Sequence, residues 1–199
     1  ETASIQKNIR LNCPVRKVTR NKDSVNIVHS NGIEKFDYIF FTCHSNEALK
    51  IISDPSVKEK KILSSIPYSK NEVTLHTDES IMPKNKLTWA AWNYNIDNAN
   101  DKPIALTYNM NILQNLITQE TIMVTLNDSG NINPNNILKK ITYEHPLFSL
   151  ESVEAQKNYK SISGVNRTGY AGAYWGNGFH EDGVRSAFNA IKSFEESIK

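Results

Sequence analysis

A chain of 199 residues, 39% of them hydrophobic, is long enough to bury one good core or two modest ones. Its 23 basic and 21 acidic residues leave a net charge of +2, which carries no electrostatic footprint of a nucleic-acid binder or of a protein drawn to an anionic membrane. No apolar run approaches the length of a bilayer span.

Residues 9–19 and 24–29 alternate apolar and polar around an Asn-Lys-Asp turn and predict a hairpin, and Asn31-Gly32 supplies the next turn. The continuous apolar run from Phe36 to Thr42 predicts a strand covered on both faces. His44-Ser45-Asn46 then caps a helix from Glu47 to Ile52, and a second helix is expected to start at Asp54-Pro55. Cys13 and Cys43 are too few for a disulfide framework and lack metal-ligand spacing. Both lie in apolar, strand-like surroundings, so the expectation is two buried free thiols in a reducing, cytoplasmic setting.

From about residue 70 the texture changes. Segments Glu72 to His76, Lys86 to Trp92, Ile104 to Asn109, Thr121 to Leu126 and Ile137 to Tyr143 alternate with Asn-, Asp- and Pro-rich turns, as an antiparallel sheet does. A helix around Ser152 to Tyr159 follows. Residues 164–183 then hold six of the eight glycines, beside aromatic, His and carboxylate side chains. Val184, Ala187, Phe188, Ile191, Phe194 and Ile198 fall on one face of a closing helix. Strand, glycine loop and helix N-terminus in that order outline a ligand site, because the free N–H groups of a helix start favour an electron-rich partner.

The string Tyr170-Ala-Gly-Ala-Tyr-Trp-Gly-Asn-Gly-Phe-His-Glu-Asp-Gly-Val-Arg-Ser-Ala187 resembles the C-terminal flavin-contacting segment of FAD-dependent amine-oxidase-like proteins. More narrowly, it is similar to their bacterial branch of NAD/FAD-binding amine oxidoreductases. Seven further strings resemble that branch in the same order. They are Phe36-Asp-Tyr-Ile-Phe-Phe-Thr-Cys-His-Ser-Asn-Glu-Ala-Leu49, Leu75-His-Thr-Asp78, Met82-Pro83, Trp89-Ala-Ala-Trp-Asn-Tyr94, Thr107-Tyr-Asn-Met-Asn-Ile-Leu-Gln114, Val124-Thr-Leu-Asn127 and Tyr143-Glu-His-Pro146. No G-x-G-x-x-G occurs, and the chain opens without the first strand of a dinucleotide fold. The expectation is a C-terminal part of a longer flavoprotein, inactive by itself and lacking the N-terminal FAD-binding half as its partner.

The resemblance implies an α/β protein, α+β within this chain. Residues 1–66 and 165–199 would form a partial FAD-binding domain, and residues 67–164 an antiparallel-sheet substrate domain. It implies that Val18 offers backbone groups to the adenine end of FAD, although Val18 also fits plain core packing. Gly172, Ala173, Tyr174, Asp182, Gly183 and Val184 would border the flavin, with Gly183 and Val184 presenting N–H groups to its pyrimidine edge. Capping of the helix start is an ordinary alternative for Asp182. Many relatives carry an acidic residue where this chain has Ala173, and no Lys stands in for the lysine they place near the ring.

His180 is implied as the catalytic residue, orienting substrate or exchanging a proton beside the flavin, with holding the loop from behind as the alternative. Trp92, Tyr94, Tyr108 and Trp175 each fit plain core packing, and together they are candidates to line a substrate pocket, with Asn93 and Asn111 as polar anchors. His76, His145 and His180 lack metal-ligand spacing, so no metal is expected. The implied activity is oxidation of a largely apolar small molecule by hydride transfer to FAD. The alternative is a small-molecule- or protein-binding module without flavin. Self-association as a homo-oligomer stays open.

Overall fold

The computed structural model describes residues 5–95, 105–128 and 130–199. The fold is mixed helix and sheet in two compact units, Glu1–Pro67 with Pro146–Lys199, and Tyr68–His145. Residues 146–164, grouped with the sheet in the sequence reading, pack in the first unit.

In that unit β1 (Val15–Arg20), β2 (Val25–His29) and β3 (Gly32–Phe36) form an antiparallel meander, with Val18 opposite Ile27 and Val25 opposite Phe36. The expected single strand from Phe36 to Thr42 is broken. β3 ends at Phe36, and a separate three-residue β4 (Ile39–Phe41) pairs parallel with β10 (Thr168–Tyr170). Nor is β4 covered on both faces: Phe41 is 3% exposed and Phe40 is 40% exposed. Phe40 packs instead beside Tyr38 and Phe194, at centroid distances of 4.9 and 5.8 Å.

Helix α1 (Ser45–Ile51) starts after His44, whose N–H donates to Glu47 Oε2 at 3.3 Å. Helix α2 (Val57–Ser64) begins later than Pro55, because Ser56 is its cap. Ser56 Oγ accepts from Glu59 N–H at 3.2 Å while Glu59 Oε2 accepts from Ser56 N–H at 2.8 Å, a reciprocal capping box. Neither cysteine is fully buried; both are half-buried.

Glu59 also reaches into the core. Its side chain and that of Arg20, at the end of β1, are each 2% exposed and form an ion pair. Arg20 Nη2 donates to Glu59 Oε2 at 2.9 Å and to the Asp54 carbonyl at 2.9 Å, Nε donates to Asp54 Oδ2 at 3.1 Å, and Nη1 donates to Thr168 Oγ1 at 3.1 Å. Tyr170 Oη, on β10, donates to Glu59 Oε1 at 2.7 Å. Burial pushes the Glu59 carboxyl up, but the bonds from Arg20, Ser56 and Tyr170 outweigh it, and its pKa lies below the ordinary value.

The second unit is a five-stranded sheet in the order β6 (Trp92–Asn95), β7 (Ala105–Asn109), β8 (Met123–Leu126), β5 (Tyr68–His76), β9 (Ile137–Pro146). Pairing is antiparallel across β6, β7, β8 and β5. The strand expected from Lys86 to Trp92 is instead a 3-10 turn over Lys86–Thr88, started by Asn85, whose Oδ1 accepts from Leu87 N–H at 3.1 Å, and β6 begins at Trp92. Ile104, the expected start of β7, lies outside the described residues. Helix α3 (Met110–Gln114) follows β7 and ends at left-handed Asn115. Back in the first unit, α4 (Leu150–Lys157) is capped by Ser149, and α5 (His180–Ser197) closes the chain. Among the described residues no helix is long and apolar enough to cross a membrane.

Leaving Arg20 buried without its anion is strongly unfavourable. Glu59→Leu should therefore destabilise the protein by about 3–5 kcal/mol in chemical denaturation, whereas loss of an exposed ion pair would be near neutral. Because the folded pKa of Glu59 is lowered, its contribution is present above the unfolded value of about 4.3 and fades as pH falls below it toward the folded pKa. The acid limb of the stability curve should flatten in the variant.

Candidate functional site

The glycine segment leaves β10 at Ala171, whose N–H donates to the Phe41 carbonyl at 2.9 Å. Gly172 N–H then donates to Ser186 Oγ on α5 at 2.8 Å, so the strand end is fastened to the helix it faces. A 3-10 turn spans Ala173–Trp175, and Gln156 of α4 donates to the Tyr174 and Gly176 carbonyls at 2.9 and 2.7 Å. A Cβ on Gly172 would lie 2.3 Å from the Tyr174 ring, and one on Gly176 would lie 2.3 Å from Asp182 Oδ1. These two glycines answer to close approach by their own chain.

Asp182 is 6% exposed, and its Oδ2 accepts from the N–H groups of Asn177 and Phe179 at 3.0 and 3.1 Å. Oδ1 pairs with Arg185. Its carboxylate closes the loop by taking the N-cap N–H and not those of the first helical turn, and both oxygens face groups of the chain itself. Tyr174, 4% exposed, is likewise a core residue. Val18 is fully buried, and its carbonyl accepts from Ser53 N–H and Ser53 Oγ, each at 2.9 Å.

The start of α5 is different. Its N-cap, Phe179, offers no side-chain acceptor, so the first turn is uncapped. A Cβ on Gly183 would meet only Ala173 Cβ, at 4.0 Å, which leaves an open cradle between the small residues of the 3-10 turn and the helix. His180, Glu181 and Val184 are exposed around it, Val184 by 51%. Trp175 stands edge-on to Tyr159 at 4.9 Å, and its buried Nε1–H has no hydrogen-bond partner. An uncapped helix start over an open glycine cradle suits an electron-rich ligand.

Trp92, Tyr94 and Tyr108 come together in the second unit. Trp92 pairs across the ladder with Tyr108, ring centroids 5.3 Å apart and nearly perpendicular, and Tyr94 shares the Trp92 face one pleat on. Trp92 and Tyr94 are 48% and 61% exposed, so this is a surface platform and not core. Asn93 and Asn111 are committed to backbone: Asn93 Nδ2 donates to the Ala90 carbonyl at 2.7 Å, and Asn111 Oδ1 accepts from Ile122 N–H at 2.8 Å. His76 is a satisfied core residue. Its Nδ1 accepts from Asp78 N–H at 3.1 Å, its Nε2 meets Thr125 Oγ1 at 2.8 Å, and burial pushes its pKa down. Among the described residues no group of three or more His, Cys, Asp or Glu could hold a metal ion.

No family model and no curated protein matches the chain. Solved structures do. A candidate protoporphyrinogen oxidase from an Exiguobacterium species aligns at 14% identity with a TM-score of 0.66, covering 94% of this chain and 47% of its own. A CLA-producing fatty acid isomerase from P. acnes aligns at 13% identity and TM-score 0.58, over 92% of this chain and 47% of its own. A cyclohexylamine oxidase from Brevibacterium oxydans aligns at 10% identity and TM-score 0.61, over 100% of this chain and 51% of its own. The chain therefore has the amine-oxidase-like fold that its sequence resembles, a fold that oxidoreductases share, and it spans about half the length of these structures.

Two measurements check this geometry. Asp182→Ala should cost about 1–3 kcal/mol and speed amide exchange at Asn177 and Phe179, the two donors left without an acceptor. Trp92→Leu and Tyr94→Leu should each change folding stability by less than about 1 kcal/mol, as exposed positions do.

Proposed function

We propose that this chain forms the substrate-side sheet and part of the cofactor lobe of an FAD-dependent oxidoreductase, one that oxidises a largely apolar small molecule by hydride transfer to flavin. The observation that carries the reading is the uncapped start of α5 above the Gly183 cradle, in a chain of amine-oxidase-like fold. Bound FAD supplies the two-electron acceptor.

The residues present fit such a group. The first N–H groups of α5, near Gly183 and Val184, would hold negative charge at the ring edge, with Ala173 as a small floor. His180, exposed at the same turn, would orient substrate or move a proton. The Trp92, Tyr94 and Tyr108 platform would offer an apolar surface to the substrate. Amine, unsaturated-lipid and carotenoid-like molecules all suit that chemistry, and fatty acid isomerase and amine oxidase names both occur on this fold.

A dinucleotide-binding half completes the site in this reading. The outward stripe of α5 supports it: Val184, Phe188 and Ile191 are 51%, 69% and 48% exposed, a face that invites covering by further polypeptide. The chain by itself should then purify colourless.

With that half present, Gly183→Val should lower flavin occupancy far more than folding stability, since the added methyls enter the cradle. His180→Ala should slow anaerobic flavin bleaching by about 10²-fold without releasing FAD. A visible spectrum beside a thermal melt reads both. Full flavin content in a well-folded Gly183→Val variant would sink the assignment and return the chain to a binding module without flavin.

A further inference from the structure

The three-stranded sheet gathers a second set of reactive side chains, independent of the flavin reading. Cys13 follows left-handed Asn12 (φ 55°) ahead of β1, and its Sγ lies 3.2 Å from His29 Nδ1 at the end of β2. The other ring nitrogen, Nε2, lies 2.8 Å from Glu34 Oε1 on β3. Asn31 N–H donates to Nδ1 at 3.2 Å, so the hydrogen-bond network assigns the lone pair to Nδ1 and the ring proton to Nε2, where Glu34 accepts it.

Glu34 is held from its far side by Arg10, whose Nη2 donates to Oε2 at 3.0 Å, and the Arg10 bond keeps the carboxyl below its usual range. His29 is 8% exposed, whereas Cys13 is half-buried and therefore reachable. The thiol and the carboxylate address different nitrogens of one ring. The three side chains are thus a proton relay and not a chelate.

Cys13 opens on a cavity of about 460 Å³ lined also by Lys7, Arg10, Val15, Ile27 and Phe36. With Arg10 paired to Glu34, Lys7 among these apolar side chains is the cation offered to an anionic organic molecule. We propose that Cys13 is a nucleophilic thiol, activated by His29 and Glu34, that undergoes exchange with anionic low-molecular-mass disulfides.

The step balances without a further oxidant. The Cys13 proton passes to His29 Nδ1, displacing the Asn31 N–H from that lone pair, and the thiolate attacks one sulfur of the disulfide. An S–S bond to Cys13 forms as the original S–S bond breaks, and the departing thiolate takes the proton from His29. Lys7 attracts the anionic partner, and Glu34, held by Arg10, steadies the imidazolium. Cys43 is the internal contrast: burial and then Glu47 push its thiol pKa up.

The test uses the full chain as Cys43→Ser and as Cys13→Ser, so that one thiol reports at a time. Each is treated with dithiobis(nitrobenzoate), a dianionic disulfide, and with the neutral hydroxyethyl disulfide, and thiol release is followed. Cys13 should react with the dianionic probe at least ~10-fold faster than Cys43 near pH 7. His29→Gln should slow Cys13 by ~10-fold or more, and Glu34→Gln by a smaller factor. If His29→Gln melts early, Glu34→Gln, at a 35%-exposed side chain, carries the test. Equal rates for the two thiols, or folded relay variants that react like the parent, would overturn the proposal. Equal acceleration with the neutral probe would overturn the choice of an anionic partner.

Discussion

The first unit depends on a single buried charge pair. Arg20, Glu59 and Tyr170 come from β1, α2 and β10, and each is useless in the core without the others. Taking a guanidinium and a carboxylate out of water is tolerated only when their hydrogen-bonding capacity is met. Here Asp54, Thr168, Ser56 and Tyr170 meet it. The consequence reaches the candidate site. Tyr170 is pinned by Glu59 and stacked on Phe41 at 5.6 Å and 16°, which sets β10 alongside β4 in parallel register. Two residues beyond Tyr170 the chain enters Gly172, tied to Ser186, and so the start of α5 is positioned from the core outward.

None of this was legible in the sequence. Arg20 ends an alternating strand and reads as an ordinary surface cation, and its partners lie 39 and 148 residues away. The Ser56-x-x-Glu59 capping box is a local signal of the helix start, yet it gives no hint that the same carboxylate turns inward. The hairpin, most of the sheet and the closing helix were legible because alternation and period near 3.6 are local properties. Both departures share one cause: hydrophobicity alone does not make regular structure. Phe36 to Thr42 is mostly apolar but breaks at Asp37-Tyr38, and Lys86 to Trp92 contains a turn set by the Asn85 side chain.

Helix α5 shows how an apolar stripe misleads about which face turns inward. The inward stripe is Asp182, Ser186 and Ala190, small or polar residues at four-residue spacing, whereas Val184, Phe188 and Ile191 face out. Small residues are needed inside because the helix lies against the backbone of β10, close enough for Ser186 Oγ to bond Gly172 N–H. A pattern search that equates apolar with inward inverts this helix. It also credits Asp182 to the ligand, when its burial and its two backbone donors place it with the loop.

Access separates the structural clusters from the reactive ones. His76 is fully buried between Asp78 and Thr125, and Arg20 is surrounded by acceptors on β10, α2 and the Asp54 turn; neither offers a reachable atom to a ligand. The start of α5 and Cys13 are the opposite. One presents uncapped N–H groups over an open cradle. The other presents a reachable thiol whose acceptor nitrogen is backed by a carboxylate held ionised by arginine. Residue type alone would rank the five histidines alike. What distinguishes His29 is that its ring connects a reachable nucleophile to a fixed anion.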